Sequence, residues 1–444
     1  MDSDTGSKDQ TLIFMTHWQR TNLLGSFFYG YILTPVLGGY LSGVYGGKKV
    51  LSGSVFISSV LSLLTPAVAK INFYALLAVR IALGIAQGVM FPCVYTILGK
   101  WSPPWERSRL LITIFSGTFI GTAVSMPLAG VICDTIGWPW VFYLCGLCGC
   151  IWCISWICLV SESPRTDTKI KPAELIILQE ALNNLTEHLD LQTPWKRIFL
   201  SLPLWAINAA QIAHSYLFFL LITHFPSYME DMYDYDIQRV GVYSAIPHLV
   251  ITINSLLGAY LADIFIKKKY LSPTATRKLF TCTALLFMAM MSFFNIIWRT
   301  PLGSLTCAIL MDGIGTVGWA GFCVNFFDIC PQFAHITMGI STTFAGVSGI
   351  IMTMLVTHFV HNESVNNTYK DKPNDNKTSD EKTSNEKTYD EEISQEKTSN
   401  EQKSDEKTTN GQTSDEKISD RTKSEKITNA KTIDDETSSK KIYN

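Results

Sequence analysis

Apolar and polar positions divide the chain at about Val360. Upstream, apolar runs follow one another with only short polar interruptions. About 20 apolar residues cross one hydrocarbon core as a helix. Ten runs of that order are read, at 22–45, 50–69, 73–98, 110–132, 140–160, 202–226, 240–265, 279–298, 303–327 and 336–360. Downstream, Ser, Thr, Lys, Glu, Asp and Asn replace nearly every aliphatic and aromatic side chain. A five-residue period runs through this tail, as in Ser379-Asp380-Glu381-Lys382-Thr383 and Ser404-Asp405-Glu406-Lys407-Thr408. Five matches neither the helix nor the strand repeat, so no apolar stripe forms. Such a segment buries too little surface to offset its ordering entropy and is expected to be disordered.

The apolar part repeats itself. Gly38-Gly39-Tyr40-Leu41-Ser42-Gly43 returns as Gly258-Ala259-Tyr260-Leu261-Ala262-Asp263, and lysines follow both, at Lys48 and Lys49 and at Lys267, Lys268 and Lys269. A duplicated bundle with its site between the halves is how many secondary transporters are built. The expected organisation is a polar N-terminal segment at 1–21, one helical bundle at 22–160, a loop at 161–201, a second bundle at 202–360 and the tail at 361–444. Within the loop Leu175, Leu178, Leu182, Leu185 and Leu189 recur at helical spacing among Glu174, Glu180 and Glu187, which predicts an amphipathic helix along the membrane face.

Charge orients the spans. Lys48, Lys49, Lys100, Arg107, Arg109, Arg165, Lys169, Lys171, Lys196, Arg197, Arg277 and Lys278 fall in one set of alternate loops with the second lysine cluster. The other set holds Lys70, Arg239 and Arg299 with Asp134, Glu230, Asp231, Asp234 and Asp236. The first set is therefore cytosolic. The tail's alternating charges nearly cancel, which argues against a nucleic-acid arm. No cleavable signal peptide is expected from the polar start. Cys145, Cys148, Cys150 and Cys153 crowd one apolar helix without a histidine or charge beside them, and read as small apolar fillers, with no metal site. No phosphate-binding glycine loop with lysine, paired metal-spaced histidines or serine elbow supports an enzyme, and no catalytic residue or resident cofactor is expected.

Several stretches resemble one family. Phe27-Phe28-Tyr29-Gly30-Tyr31 leading to Gly38-Gly39-Tyr40-Leu41, Lys100-Trp101-Ser102-Pro103-Pro104-Trp105-Glu106-Arg107-Ser108-Arg109, Gly137-Trp138-Pro139-Trp140-Val141-Phe142-Tyr143, Ser161-Glu162-Ser163-Pro164, Ser201-Leu202-Pro203-Leu204-Trp205-Ala206 and Asn325-Phe326-Phe327-Asp328-Ile329-Cys330-Pro331 are similar to the anion:cation symporters of the major facilitator superfamily. That group, solute carrier family 17, includes sialin, the vesicular glutamate transporters and sodium-dependent phosphate cotransporters. The resemblance covers about Trp18 to Val360. It implies an all-α membrane protein with the major facilitator fold, two pseudo-symmetric helical bundles and the disordered C-terminal tail. The family has twelve spans, so the ten read here correspond to its second to eleventh, and the first and last are expected to be lacking.

Arg80 stands about 10 Å into an apolar helix at the helical rise, where a charge usually faces water or a partner. Its planar fork suits a carboxylate or phosphate; the alternative is an arginine snorkelling to the surface. The matching arginine serves substrate recognition in the family. Gln87 lies two turns along the same face, where sialin-like and glutamate-transporter-like members have a glutamate tied to proton coupling. It either contributes to the site or hydrogen-bonds a neighbouring helix. His214 occupies a position where the glutamate carriers have arginine. It either titrates and adds cavity charge or sits buried and neutral, satisfied by a carbonyl; His248 is a weaker candidate. Asn325 and Asp328 share a helix face. Asn325 joins the substrate candidates, and Asp328 either holds a coupling cation, pairs with Arg80 in the empty site, or ends a helix at the cytosolic surface. Glu106, Arg107, Arg109 and Asp263 are read as gating elements. The expected function is cation-coupled (Na+ or H+) symport of inorganic phosphate or a small organic anion by alternating access, in a plasma, vesicular or lysosomal membrane. The lipid bilayer is its surroundings and nucleic acid is not a partner. The alternative is a truncated non-transporting or regulatory membrane isoform.

Overall fold

The computed structural model describes residues 17–103, 105–186, 193–233, 235–298 and 300–370. The polar segment up to 16, the end of the loop helix with Glu187 and Leu189, and the repeat from 371 lie outside the described residues. Among the described residues are fifteen α-helices and no strand. The first half holds α1 (His17–Tyr31), α2 (Pro35–Tyr45), α3 (Gly47–Ala69), α4 (Phe73–Gln87), α5 (Met90–Trp101), α6 (Arg107–Thr135) and α7 (Pro139–Leu159). The connecting loop carries α8 (Pro172–Thr186) and α9 (Trp195–Phe199). The second half holds α10 (Leu202–Tyr233), α11 (Ile237–Lys267), α12 (Pro273–Ile297), α13 (Pro301–Gly315), α14 (Trp319–Ile329) and α15 (Ala334–Lys370).

Nine stretches among the described residues are long and apolar enough to cross a bilayer, from Gly47–Ala69 to Pro331–Val356. Each matches one expected run to within a few residues. The tenth run, 22–45, is split into α1 and α2, of 15 and 11 residues. Pro35 opens α2 at its first turn; without an N–H it cannot close a helical bond back into α1. Helix α15 has 37 residues and continues to Lys370, past the boundary expected at Val360.

Two other spans are broken inside the membrane, at equivalent places in the two halves. Gly88 and Val89 separate α4 from α5, and a 3₁₀ turn at Thr316–Gly318 separates α13 from α14. Broken helices at membrane depth persist only where protein or a cavity satisfies the freed backbone. Here Thr34 Oγ1 donates to the Ile85 carbonyl at 2.8 Å. Small residues let the broken helices meet backbone to backbone. A Cβ on Gly30 would strike the Ile81 carbonyl, and one on Gly84 the Phe27 carbonyl. Without a hydrophobic drive between helices in lipid, such close approach supplies the packing.

The halves meet along two seams. Helix α6 runs against α11, where Gly241 lies under the Met126 carbonyl and Gly130 under that of Ile237. Helix α2 runs against α15, where Gly39 lies under the His335 carbonyl and Gly339 under that of Pro35. Outer faces remain apolar and bare: only 11% of the α7 window and 17% of the α12 window are buried. Leu147, Ile151 and Ile154 on α7, and Leu286, Phe293 and Ile297 on α12, are exposed, the mark of a lipid-facing surface. Cys145 and Cys148 belong to that surface, whereas Cys153 is buried against α3 with Sγ 3.4 Å from the Ser52 carbonyl.

Candidate functional site

At the lysine-rich end the halves are locked by charge. Arg107 opens α6 buried, with Nη2 donating to the Ser102 carbonyl at 3.0 Å and the guanidinium 4.6 Å over the Phe327 ring of α14. Arg109 lies on the outer side of the same helix, and its Nε donates to Asp263 Oδ2 of α11 at 3.0 Å. Arg277 of α12 closes the set. Its Nε meets Asp328 Oδ2 at 2.9 Å, Nη1 the Ala320 carbonyl at 2.6 Å and Nη2 the Ser108 hydroxyl of α6 at 3.3 Å. A planar guanidinium with fixed donors can address three acceptors on two neighbouring helices at once; a lysine cannot. Arg107, Arg109, Asp263 and Asp328 therefore come together at one end.

Glu106 does not join them. It is exposed at the N-cap of α6 and caps no backbone N–H, and among the described residues no side-chain bond engages it. The pairing of Asp328 with Arg80 is corrected: Asp328 sits at the lysine-rich end on Arg277, while Arg80 lies toward the other end of its span. Asn325, half-buried one turn inward of Asp328, is likewise remote in depth from Arg80. Arg277 and Ser108 were not foreseen as partners. Arg277 is readable only as loop charge until α12 is seen to carry it beneath α14.

Above this lock the interface turns aromatic. The Tyr95 hydroxyl of α5 donates to the Cys323 carbonyl of α14 at 2.8 Å, and its ring stacks on Phe327 at 4.9 Å. Phe115 and Phe119 of α6 pack edge-on against Trp319, at 4.9 and 5.2 Å between centroids. His214 is buried on the far side of that indole, and Trp319 Nε1 donates to its Nε2 at 2.9 Å. An indole N–H only donates, so the receiving ring nitrogen carries no proton. His214 is thus buried and accepts a hydrogen bond, but its partner is the Trp319 indole and not the expected carbonyl. Trp319 itself was missed; the signal was the glycine pair Gly315 and Gly318 bracketing the break it follows. His248 is buried too, with Nδ1 3.0 Å from the Ser244 carbonyl.

Arg80, Gly84 and Gln87 form one stripe on α4, at i, i+4 and i+7. Gly84 fits against α1, so the stripe flanks the α1–α4 crossing. Gln87 is the last residue of the 15-residue α4 in a 29-residue span, which places it at mid-membrane on the first break. His214 lies near the middle of the 29-residue span Leu202–Glu230. Arg80 stands two turns nearer the lysine-poor end. Arg80 and Gln87 are both half-buried, and among the described residues neither side chain has an ion pair or hydrogen bond. The second break has its own polar group: Asp312 is 2% exposed one turn before it, and among the described residues its Oδ2 finds no hydrogen-bond partner. A cleft of about 430 Å³ at the lysine-rich end, lined among others by Arg197, Ser201, Phe326 and Thr337, includes none of these midplane residues.

Comparison with known proteins places this geometry. Residues 10–353 match the family model described as Major Facilitator Superfamily. The chain is 36% identical over 336 residues to vesicular glutamate transporter 3 of Danio rerio, covering 75% of this chain and 57% of that protein. It is 35% identical over 346 residues to vesicular glutamate transporter 2 of Homo sapiens, covering 77% and 59%. Sialin of Ovis aries is 36% identical over 333 residues, covering 74% and 66%. The chain thus spans less than two thirds of the length of these relatives. Among solved structures, the proton:xylose symporter XylE superposes with a TM-score of 0.58 at 15% identity, covering 79% of this chain and 82% of that one. A bacterial homologue of the human lysosomal transporter Spinster gives 0.55 at 14%, covering 80% and 77%. The chain is a multi-pass membrane protein that belongs to the Major Facilitator Superfamily, with vesicular glutamate transporters and sialin among its sequence relatives.

Proposed function

We propose that the protein is a secondary transporter for a small anion, organic or inorganic phosphate, moved by alternating access between the two halves. The observation that carries this reading is Arg80, a half-buried guanidinium with no ion pair or hydrogen bond among the described residues, on the stripe that ends at the first helix break. An unpaired charge at membrane depth is costly and marks a pathway. A carboxylate or phosphate would complete it with two parallel hydrogen bonds. Breaks at equivalent places in two repeated halves are where such carriers bind substrate. The relatives named for glutamate transport are consistent with an anion. The lysine-rich end, cytosolic by charge, is shut by the Arg277 and Arg109 contacts, which have to part for the cargo to leave on that side.

The coupling ion, Na+ or H+, is assigned to Asp312. Gln87 cannot bind a proton, whereas Asp312 brings a buried carboxyl with an unengaged oxygen to the second break. The test is uptake of labelled anion into proteoliposomes. Arg80→Lys should lose at least tenfold in rate, because lysine keeps the charge and loses the fork, while Lys49→Gln at the surface should not. Asp312→Asn should abolish accumulation against a gradient yet leave exchange of anion for anion. Wild-type uptake by Arg80→Ala sinks the anion site. No uptake by the wild type, in vesicles where the protein is folded, would favour the non-transporting reading.

A further inference from the structure

We propose, resting on the anion transport proposed above, that the cleft at the lysine-rich end is a second station for the cargo, holding its carboxylate or phosphate group as it passes on that side. At about 430 Å³ it falls among small-molecule sites, which run from about 300 to about 1,000 Å³. Its walls include Arg197 of α9, Ser201, Phe326 and Cys330 at the end of α14, and Thr337 of α15. Phe326 and Cys330 flank Asp328 in sequence, so the cleft stands at the level of the Arg277 lock. Arg197 is the one charge among the described residues of this lining, and among them its exposed side chain makes no ion pair or hydrogen bond. Its fork can take two oxygens of a carboxylate or phosphate.

Two helix faces lead inward from the cleft. On α10, Leu204 lines it and is followed on the same face by Asn208 and Gln211, at i+4 and i+7. On α15, Thr337 lines it and is followed by Ser341 at i+4. All three inner residues are buried, and among the described residues Asn208 Oδ1, Gln211 Oε1 and Ser341 Oγ have no hydrogen-bond partner. Unpaired polar atoms are costly to bury, and they persist where water or a ligand completes them. The α10 face continues to Ser215, whose hydroxyl receives the Gln211 amide at 3.2 Å, beside His214 at mid-membrane. A polar track therefore leads from the cleft toward the depth of the helix breaks. A lipid headgroup could meet Arg197 alone, but its acyl chains have no use for amides and hydroxyls behind it. The track suits a soluble, hydrated anion.

Cys330, half-buried in the wall, reports on the cleft without any need for transport. The full chain in detergent is labelled with a small thiol reagent, and the rate at Cys330 is followed by mass spectrometry of its peptide. Saturating inorganic phosphate or glutamate, at constant ionic strength, should slow that labelling several-fold. Arg197→Gln should abolish the protection and Arg197→Lys should keep part of it, since lysine retains the charge and loses the fork. Protection that survives Arg197→Gln overturns the site, and so does protection that appears only when anionic lipid is added. Labelling indifferent to both anions, in a protein whose uptake still depends on Arg80, overturns the site and leaves the transport reading standing. Protection that needs Arg197, in a folded protein that takes up no anion, keeps the anion site and overturns that reading instead.

Discussion

The two seams between the halves are built from repeated sequence yet close in different ways. Along α6–α11 the lysine-rich end carries the Arg109–Asp263 pair and the Ser108–Arg277 contact. Along α2–α15 the same level carries Gly43, whose Cβ would stand 3.0 Å from His335 Nε2. Of the three positions at which the copies of the motif differ, the one that bears on this is the last, Asp263 in one copy and Gly43 in the other. One seam is therefore latched by charge and the other by contact. Charge pairs can be exchanged for water at modest cost, whereas backbone packed on backbone has no such substitute. The comparison assigns the α6–α11 seam to opening and the α2–α15 seam to pivoting.

The strongest way to break this assignment is to crowd the pivot. Gly39→Leu places a side chain where even Cβ would sit 2.7 Å from the His335 carbonyl and 3.1 Å from Ile336 Cα. Helix backbone on both sides cannot yield as a flexible side chain would. Destabilisation of about 3 kcal/mol is expected, read as a fall in melting temperature in detergent and loss of monodisperse protein. A variant that folds and transports normally would show that the seam is loose.

Arg277→Ala comes next. Arg277 is almost fully buried while its partner Asp328 keeps a side-chain exposure of 40%, so water can resolvate the acid but not the Ala320 carbonyl or Ser108. Loss of about 2 kcal/mol follows from removing hydrogen bonds to a buried charge. Arg277→Lys should recover only a small part, since one ammonium cannot reach three acceptors. The measurement is thermal unfolding of the three proteins side by side; equal melting temperatures for Lys and Arg would refute the fork.

These residues also show what could be read from sequence. Span positions were legible because twenty-residue apolar runs have few other uses, and which loops share an end was legible because lysines keep to one set of them. Depth along a helix follows from counting, so Arg80 and Gln87 were placed well and the Asn325–Asp328 pair was seen to share a face. Azimuth between helices does not follow from counting. One alternative therefore offered Asp328 to Arg80 when it pairs with Arg277 at the end of α14, the level another alternative gave it, and the acceptor of the Trp319 indole stayed hidden until α10 and α14 were side by side. Pro35 and the glycines around the midplane breaks were visible, but glycine is common in membrane helices for several reasons and did not single out Gly88 or Gly318.

A smaller effect is expected on the latch itself. The Arg109 side chain is 55% exposed and that of Asp263 16%, a geometry worth about 0–1 kcal/mol. Asp263→Asn should barely move the melting temperature. It should shift the population toward the state open at the lysine-rich end, seen as faster exchange in proteoliposomes at low salt and no difference at about 1 M salt, where the Debye length falls to about 3 Å. An effect that persists at high salt would mean that packing, not charge, holds the latch.

The finest test installs the latch on the wrong seam. Gly43→Asp puts a carboxyl where Cβ faces His335 Nε2, and the imidazole, the far end of a side chain, can move a few tenths of an ångström to receive it. Only a protonated ring pairs with the new carboxylate, so stability added to the closed state is present on the acid side of the ring's own titration and is lost as pH rises through it. Transport by Gly43→Asp should therefore fall further below wild type as pH is lowered. The double variant Gly43→Asp with His335→Gln should lose that pH dependence while keeping the extra carboxylate. If Gly43→Asp slows transport equally at every pH, crowding explains the effect. The pivot then tolerates no side chain at that level, and charge would be a latch only where α6 meets α11.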